Sequence, residues 1–214
     1  MPNYSLTSPT MIQALSSQRR IAGSTSLVEI KADNQHLATM KDALRLQPGV
    51  IIQDMFGGND QPRLNIRGSG IQSNPQRRGV YLLQDGIPVN FSDGSYVVGI
   101  MDAMTAQYIE VFKGANALRF GAGTLGGALN FVSRTALSDT TTSIKLEGGS
   151  YGSFGLTFTT GRRMGAWDVF AASTYNRQDG YRIYNQNRRL TASLNIGWRN
   201  KNKTLENRTF MHFT

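Results

Sequence analysis

Cysteine is absent from this 214-residue chain, and histidine occurs only as His36 and His212. The missing thiols exclude a disulfide scaffold and a zinc-thiolate centre, and two histidines are too few for a histidine-rich metal site. No apolar run reaches the roughly 18 residues that a membrane-spanning helix needs. This absence excludes a helical membrane protein but leaves a β-barrel open, because barrel strands are short and alternate in polarity.

Sequence signatures of catalysis are missing as well. The chain contains neither the G-x-S-x-G elbow of hydrolases nor the H-E-x-x-H motif of zinc proteases, and its two histidines limit acid–base chemistry. We therefore expect no enzyme activity, no catalytic residue, no metal site and no cofactor.

The chain is basic, with 23 Lys+Arg against 14 Asp+Glu and a formal net charge of +9. Many basic residues of the second half come in pairs at predicted turns: Arg162 with Arg163, Arg188 with Arg189, and Lys201 with Lys203. A nucleic-acid module would more often concentrate such charges on one helix or interleave them with stacking aromatics. The charge pattern therefore indicates no nucleic-acid partner.

The chain has two halves with different sequence patterns. All six prolines lie at or before Pro88, whereas the residues from Ser143 onward form long alternating runs without proline, as interior strands require. The first half mixes short strands and helices with many Gly, Asn and Pro turns, which predicts a small α+β domain. Its predicted strands lie in STSLVEIKA, VIIQDMF, PRLNIRG, GVYLLQDG, YIEVFKG and ALNFVSR.

Two helices are predicted in this first half. Asn34 is the predicted N-cap of the longer one, and Pro48 with Gly49 ends it. Its apolar stripe consists of Leu37, Met40, Ala43, Leu44 and Leu46. The second helix is short and runs from about Met101 to Ala106.

The second half predicts five antiparallel strands, at 143–149, 153–161, 166–176, 188–199 and 205–213. In the fourth strand an apolar face (Leu190, Ala192, Leu194, Ile196, Trp198) opposes a polar one (Thr191, Ser193, Asn195, Gly197). An apolar face that could contact lipid, with an aromatic residue near the strand end, is typical of an outer-membrane barrel. A soluble β-sandwich also has alternating strands, so alternation alone leaves both architectures open.

Motifs in the first half carry a resemblance to a known family. The segments LNIRG (64–68), LLQDGIPV (82–89) and IEVFKGANALRFGAGTLGGALNFVSR (109–134) resemble the plug domain of TonB-dependent outer-membrane receptors, in the family's order. The segment DGIPVNFSDGSY is most similar to the ferric-citrate and siderophore branch. The resemblance implies an N-terminal extension at 1–26, a plug at 27–135 and the first strands of a transmembrane β-barrel at 143–214.

The resemblance also implies a function and a location. A receptor of this family binds a ferric chelate at the Gram-negative outer membrane, contacts its lipid, and receives energy for uptake through TonB. Another metal chelate or cobalamin, or a soluble β-rich binding module, is the alternative. About five barrel strands are present where such a barrel has about 22, and no signal peptide or TonB-binding segment stands out. We therefore expect the chain to be a fragment with an incomplete barrel.

Two groups of site residues follow from the resemblance. Ligand contacts are expected in three loops at the plug apices, at Gly58, Asn59, Gln72, Ser73, Asn74, Arg77, Arg78, Asn90, Phe91 and Tyr96. Anchors between plug and barrel are expected at Arg67, Glu110, Lys113 and Arg119. The apical side chains combine positive charge, neutral hydrogen-bonding groups and flat rings, which suit an anionic, oxygen-rich chelate.

One motif, taken alone, would indicate a nucleotide-binding site. Gly121 to Gly126 match the G-x-G-x-x-G fingerprint of dinucleotide-binding folds letter for letter. That fingerprint needs a strand before it, a helix opening at its third glycine and an acidic residue about 20 positions on. None of these is predicted here, so we attribute the glycines to tight turns against a barrel wall.

Overall fold

The computed structural model describes residues 5–30, 39–53, 62–69, 78–98, 101–121, 126–180 and 186–214. By its internal contacts the chain divides into two units, Met11–Val132 and a second one made of Met1–Thr10 with Ser133–Thr214. The predicted N-terminal extension at 1–26 is therefore shared between the two units. Within the described segments, no helix has both the length and the apolar character needed to cross a membrane.

The described residues of the first unit form two α-helices and seven short strands. The helices are α1 (Met11–Gln18) and α2 (Met40–Leu44). The strands are β1 (Thr25–Glu29), β2 (Val50–Gln53), β3 (Arg63–Ile66), β4 (Val80–Gln84), β5 (Ile87–Pro88), β6 (Ala106–Lys113) and β7 (Gly127–Ser133). Strands are therefore found in all six segments where alternation predicts them.

Five of these strands form one sheet in the order β1-β6-β7-β4-β5, and β2 and β3 form a separate hairpin. The pairs β1–β6 and β4–β5 are antiparallel, whereas β4 and β7 run parallel. The apolar faces of these strands meet in one core that contains Leu64, Ile66, Leu82, Ile109 and Phe131, each at most 2% exposed. This is the α+β domain that the first half predicts.

The helix α2 begins later than the sequence predicts. Thr39 caps it by a reciprocal capping box: its hydroxyl oxygen accepts from Asp42 N, and the Asp42 carboxylate accepts from Thr39 N. Asn34, the predicted N-cap, lies outside the described residues. Met40, Ala43 and Leu44 are buried, but Leu46 is 75% exposed and does not belong to the apolar face.

Two further local predictions need correction. The short helix expected from Met101 to Ala106 is only a single 3-10 turn, Ala103–Thr105, and Ala106 already begins β6. A 3-10 helix (Gly114–Phe120) precedes the glycine motif and β7 follows it, so the strand–turn–helix order of a dinucleotide site is absent from the described residues around it. A Cβ at Gly126 would collide with the Ser69 side chain, so this glycine permits close approach of two segments within its own unit.

The second unit is an antiparallel sheet of five strands: β8 (Ser143–Gly149), β9 (Ser153–Met164), β10 (Trp167–Gln178), β11 (Asn187–Arg199) and β12 (Glu206–Phe213). They pair in sequence order, and β8 and β12 are the two edges. Two connections, 165–166 and 200–205, lie at one end of the sheet. The other two, 150–152 and 179–186, lie at the opposite end.

The two faces of this sheet differ as the alternation predicts. Along β11, Thr191, Ser193 and Asn195 are buried on one face, whereas Leu190 on the other face is 62% exposed. Phe170 is an exception, because it lies on the mostly polar face of β10 and is 2% exposed. Trp167 and Trp198 are direct cross-strand partners at the end with the turn 165–166. The arrangement agrees with an apolar outer face and a polar inner face of a barrel wall.

Candidate functional site

The third predicted apex loop, between β5 and β6, is shaped by Asn90. Its Oδ1 accepts from Leu82 N at 2.8 Å, and its Nδ2 donates to Val80 O at 3.0 Å and to Gly94 O at 3.2 Å. The amide therefore fastens the loop to β4, and its hydrogen-bonding groups are already used within the first unit. This is a role that the sequence analysis did not assign to Asn90.

Tyr96 and Phe91 have opposite environments in the same loop. Tyr96 is 4% exposed, and its hydroxyl donates to Leu64 O at 3.1 Å. Its ring belongs to the core, which corrects the expectation that it offers flat surface to a ligand. Phe91 is 60% exposed and remains available for such a contact.

Asp93, two positions after Phe91 in the same loop, forms a solvated ion pair with Arg78. The Arg78 Nη2 lies 3.3 Å from Asp93 Oδ2, and both side chains are about half exposed. Ser95 donates to Asp93 Oδ1 from its hydroxyl at 2.6 Å and from its backbone N–H at 3.0 Å. These two hydrogen bonds, with a smaller contribution from Arg78, lower the pKa of Asp93 to about 2.

We expect Asp93 to titrate at about 2, below the usual carboxyl range near 3.8. Because the pKa is depressed in the folded state, the turn contacts of Asp93 are fully present above the unfolded value and are lost as the pH falls from about 4 through 2. The carboxyl ¹³C shift of Asp93 followed by NMR measures this directly. Ser95→Ala removes the largest cause, so it should raise the pKa toward 3.8; an unchanged value would contradict the assignment.

The remaining predicted apex residues, Gly58, Asn59, Gln72, Ser73, Asn74 and Arg77, lie outside the described residues. Their role as ligand contacts stays a prediction. Within the described part, the apex therefore offers two exposed groups, the ring of Phe91 and the Arg78–Asp93 ion pair.

Arg67 and Glu110, two of the predicted anchors, differ from each other in their surroundings. Arg67 lies just after β3, is exposed, and has a left-handed backbone with φ of 53°. Glu110 does lie within β6, where its Oε2 accepts from Asn130 Nδ2 at 2.8 Å and its Oε1 from Gln18 Nε2 at 3.4 Å. Both Glu110 oxygens thus accept hydrogen bonds from amides of the same unit.

Lys113 is buried within the first unit, and Arg119 contacts two aromatic rings there. Lys113 is 7% exposed, and burial, with a smaller contribution from the nearby Arg67 charge, lowers its pKa. The Arg119 guanidinium lies 5.1 Å from the centre of the Phe120 ring and 5.5 Å from that of Phe112. These are cation–π distances. The role of the four residues as anchors between plug and barrel remains a prediction.

A network of buried charges on the polar face of the second unit was not found from the sequence. Arg208 donates from Nη1 and Nη2 to the two carboxylate oxygens of Asp168, at 2.9 and 3.0 Å. It also donates to Glu206 Oε1 from Nε and Nη2, at 3.0 and 2.8 Å, and to Asn195 Oδ1 at 2.8 Å. The side chains of Arg208, Asp168 and Glu206 are 5%, 5% and 1% exposed.

Gly197 makes this network possible. It is the cross-strand partner of both Asp168 and Arg208, so it lies between them on β11. A Cβ at Gly197 would come within 2.5 Å of Arg208 Nη2. Alternation alone predicts that Glu206 and Arg208 share one face of their strand. It does not predict that they meet Asp168 across Gly197, because that contact depends on the register of three strands.

The N-terminal segment contributes to the same network. Glu206 accepts hydrogen bonds from the Ser5 hydroxyl at 2.5 Å and from Leu6 N at 2.7 Å. Thr7 donates to it as well, at 3.4 Å. Glu206 therefore joins residues about 200 positions apart in sequence.

Comparison with known proteins decides the family. The sequence profile of the TonB-dependent Receptor Plug Domain matches residues 17–128, more than half of the chain. The chain belongs to the TonB-dependent receptors. The plug match covers β1 to the start of β7, and the sheet of the second unit follows it. TonB-dependent receptors of this type lie in the Gram-negative outer membrane, which gives the apolar face of that sheet its environment.

Named relatives of this receptor chain are distant. It is 22% identical over 183 residues to the vitamin B12 transporter BtuB of Vibrio vulnificus, covering 85% of the chain and 28% of that protein. It is 31% identical over 141 residues to the ferrichrome receptor FcuA of Yersinia enterocolitica, covering 63% of the chain and 19% of that protein. The chain thus spans less than a third of either relative.

Solved receptor structures share the fold. The pyoverdine outer-membrane receptor FpvA of Pseudomonas aeruginosa PAO1 superposes with a TM-score of 0.62 at 20% identity, over 88% of this chain and 26% of that one. The ferric enterobactin receptor PfeA of the same species gives 0.62 at 18% identity, over 87% and 32%. The fold class predicted from the sequence, a plug followed by antiparallel barrel strands, is confirmed.

Proposed function

We propose that the chain forms the plug and the first barrel strands of a receptor for energy-coupled uptake of a ferric siderophore or a ferric citrate-type chelate. The proposal rests on one observation: residues 17–128 match the plug domain, and they are followed by a sheet with one apolar and one polar face. In this proposal TonB is the energy-coupling partner, and the outer-membrane lipid surrounds the apolar face.

The chemistry of the described apex supports an anionic chelate. Arg78 carries forked donors that suit carboxylate or hydroxamate oxygens, and Phe91 offers an exposed ring in the loop that contains Asp93, the partner of Arg78. Asp93 holds Arg78 by a solvent-exposed pair, which contributes little energy and can be exchanged for a ligand oxygen. Loops on a rigid scaffold are the usual carriers of binding, and Asn90 provides that rigidity here.

The named relatives support this proposal at the level of metal-chelate uptake. FcuA is named as a ferrichrome receptor, and FpvA is described bound to pyoverdine. BtuB, named as a vitamin B12 transporter, matches the larger share of this chain. Cobalamin is therefore the second candidate ligand.

An uptake assay distinguishes the two. The receptor that contains this chain is expressed in cells that lack their own siderophore and cobalamin receptors, with and without TonB. Cells are offered ⁵⁵Fe as citrate, ferrichrome or pyoverdine chelate, and ⁵⁷Co-cobalamin. We expect uptake of at least one ferric chelate in the cells with TonB and none in cells without it. Uptake of cobalamin alone would replace the proposed ligand, and no uptake at normal receptor levels would refute the proposal.

A further inference from the structure

Two arginines lie directly opposite each other on the apolar face of the second unit. Arg177 on β10 and Arg188 on β11 are cross-strand partners at the end of the sheet with the connections 150–152 and 179–186. Both are exposed, and Arg188 shares its face of β11 with Leu190. Because this is the outer face of the barrel wall, both guanidinium groups lie on the lipid side of the sheet and not in the barrel interior.

The surface beside the two arginines is apolar and aromatic. Phe154 on β9 is the cross-strand partner of Arg177, and the next row of the same face joins Leu156, Tyr175 and Leu190. Phe154, Leu156 and Leu190 are 44%, 37% and 62% exposed. The rings of Phe154 and Tyr175 lie 6.4 Å apart. Basic and aromatic side chains that border an apolar band at a strand end are typical of the headgroup level of a bilayer.

The paired arginines carry an excess of positive charge. Like charges directly opposite each other on a sheet repel. Asp179 Oδ1 lies 3.2 Å from Arg177 Nη2, but this pair is solvated, with side chains 39% and 44% exposed. Such a pair contributes little energy and can be exchanged for another acceptor. Glu147 pairs with Lys145 at 3.0 Å, and no ion pair of Arg188 is found among the residues that the structure describes.

We propose that Arg177 and Arg188 together bind the phosphate group of an anionic membrane lipid. A phosphate between the two forks accepts hydrogen bonds from both guanidinium groups and removes their mutual repulsion. The acyl chains of that lipid then lie along Phe154, Leu156 and Leu190. This continuous apolar surface favours a lipid over free phosphate as the source of the anion.

The site is complete within the described sheet. It uses β9, β10 and β11, each of which is paired on both sides, so no residue of the site lies on an edge strand. None of its residues belongs to the first unit. The proposal rests on the contact of the apolar face with lipid and does not depend on which ligand the receptor transports.

Binding can be measured with the purified chain in dodecyl maltoside micelles. The two tryptophans, Trp167 and Trp198, lie at the other end of the sheet. Replacing both with Phe and adding Phe154→Trp places a single fluorescent reporter opposite Arg177. It is titrated with dihexanoyl phosphatidic acid, with dihexanoyl glycerol, which has the same acyl chains without the phosphate, and with inorganic phosphate. We expect a saturable change with phosphatidic acid, none with dihexanoyl glycerol, and binding of inorganic phosphate about ten-fold weaker, because it lacks the apolar contacts.

Variants in the reporter background assign the response to the two arginines. Arg177→Gln with Arg188→Gln should weaken phosphatidic acid binding by about ten-fold or more, as expected for lost charge-assisted hydrogen bonds. Lys201→Gln with Lys203→Gln removes the same charge from the opposite end of the sheet and should leave the affinity unchanged. Asp179→Asn frees Arg177, so the affinity should stay the same or increase.

Three results would overturn the proposal. An equal response to dihexanoyl glycerol would show that the phosphate is not recognised. Equal affinity for inorganic phosphate would show a free-phosphate site and remove the lipid. Unchanged affinity in the double arginine variant, with circular dichroism showing the strands intact, would remove both arginines from the site.

Discussion

Arg208→Ala should destabilise the sheet of the second unit by about 3–5 kcal/mol, the usual cost of removing one partner from a buried ion pair. The substitution leaves the carboxylates of Asp168 and Glu206, 5% and 1% exposed, without the guanidinium that joins them. It also leaves Asn195 Oδ1 without its donor from Arg208. Urea unfolding of the chain in detergent micelles, followed by tryptophan fluorescence, measures the change.

Two further variants test whether the loss of stability in Arg208→Ala comes from the ion network or merely from the removal of an arginine. Arg188→Ala removes an exposed arginine from β11 and should change stability by less than about 0.5 kcal/mol. Gly197→Ala keeps every charge but places a methyl group between Asp168 and Arg208, so it should destabilise in the same direction. If Arg208→Ala behaved like Arg188→Ala, the network would not stabilise the sheet.

Arg78→Ala should weaken ferric-chelate binding by about ten- to a hundred-fold, which corresponds to roughly 1.5–3 kcal/mol for a charge-assisted hydrogen bond. The prediction rests on the half-exposed guanidinium of Arg78, which pairs with Asp93 in the loop that also contains the exposed Phe91. The expected reason is that an anionic chelate exchanges for Asp93 as the partner of Arg78. Equilibrium binding to outer membranes that contain the receptor, with the ferric chelate identified by uptake, gives the affinity.

Asp93→Asn provides the opposite change at the same ion pair. It frees Arg78 and removes a negative charge from the apex, so affinity for an anionic chelate should stay the same or increase. Arg45→Ala, an exposed arginine after α2, is the matched control and should leave affinity unchanged. Unchanged affinity in Arg78→Ala at normal receptor levels, or a loss in Asp93→Asn equal to that in Arg78→Ala, would remove Arg78 from the ligand site.

The apex shows how far residue type alone can assign a role. Asn90, Phe91 and Tyr96 have side chains that could contact a chelate, and the motif places them in one loop. Only Phe91 is exposed, because the Asn90 amide fastens the loop and the Tyr96 hydroxyl reaches Leu64 O in the core. Which side chain of a loop faces outward depends on the backbone path. That path is set by hydrogen bonds to β4 and to Leu64 of β3, which lies 32 positions from Tyr96 in sequence.

Local sequence determined the family, the strand segments and the two faces of the barrel sheet. Period-two alternation and turn residues act between near neighbours, so β8 to β12 and the plug strands were predicted within a few residues. The meeting of Asp168, Glu206 and Arg208 across Gly197 was decided only by tertiary structure. Those contacts join β10, β11 and β12 through strand register, and register is fixed by pairing of whole strands rather than by any local pattern.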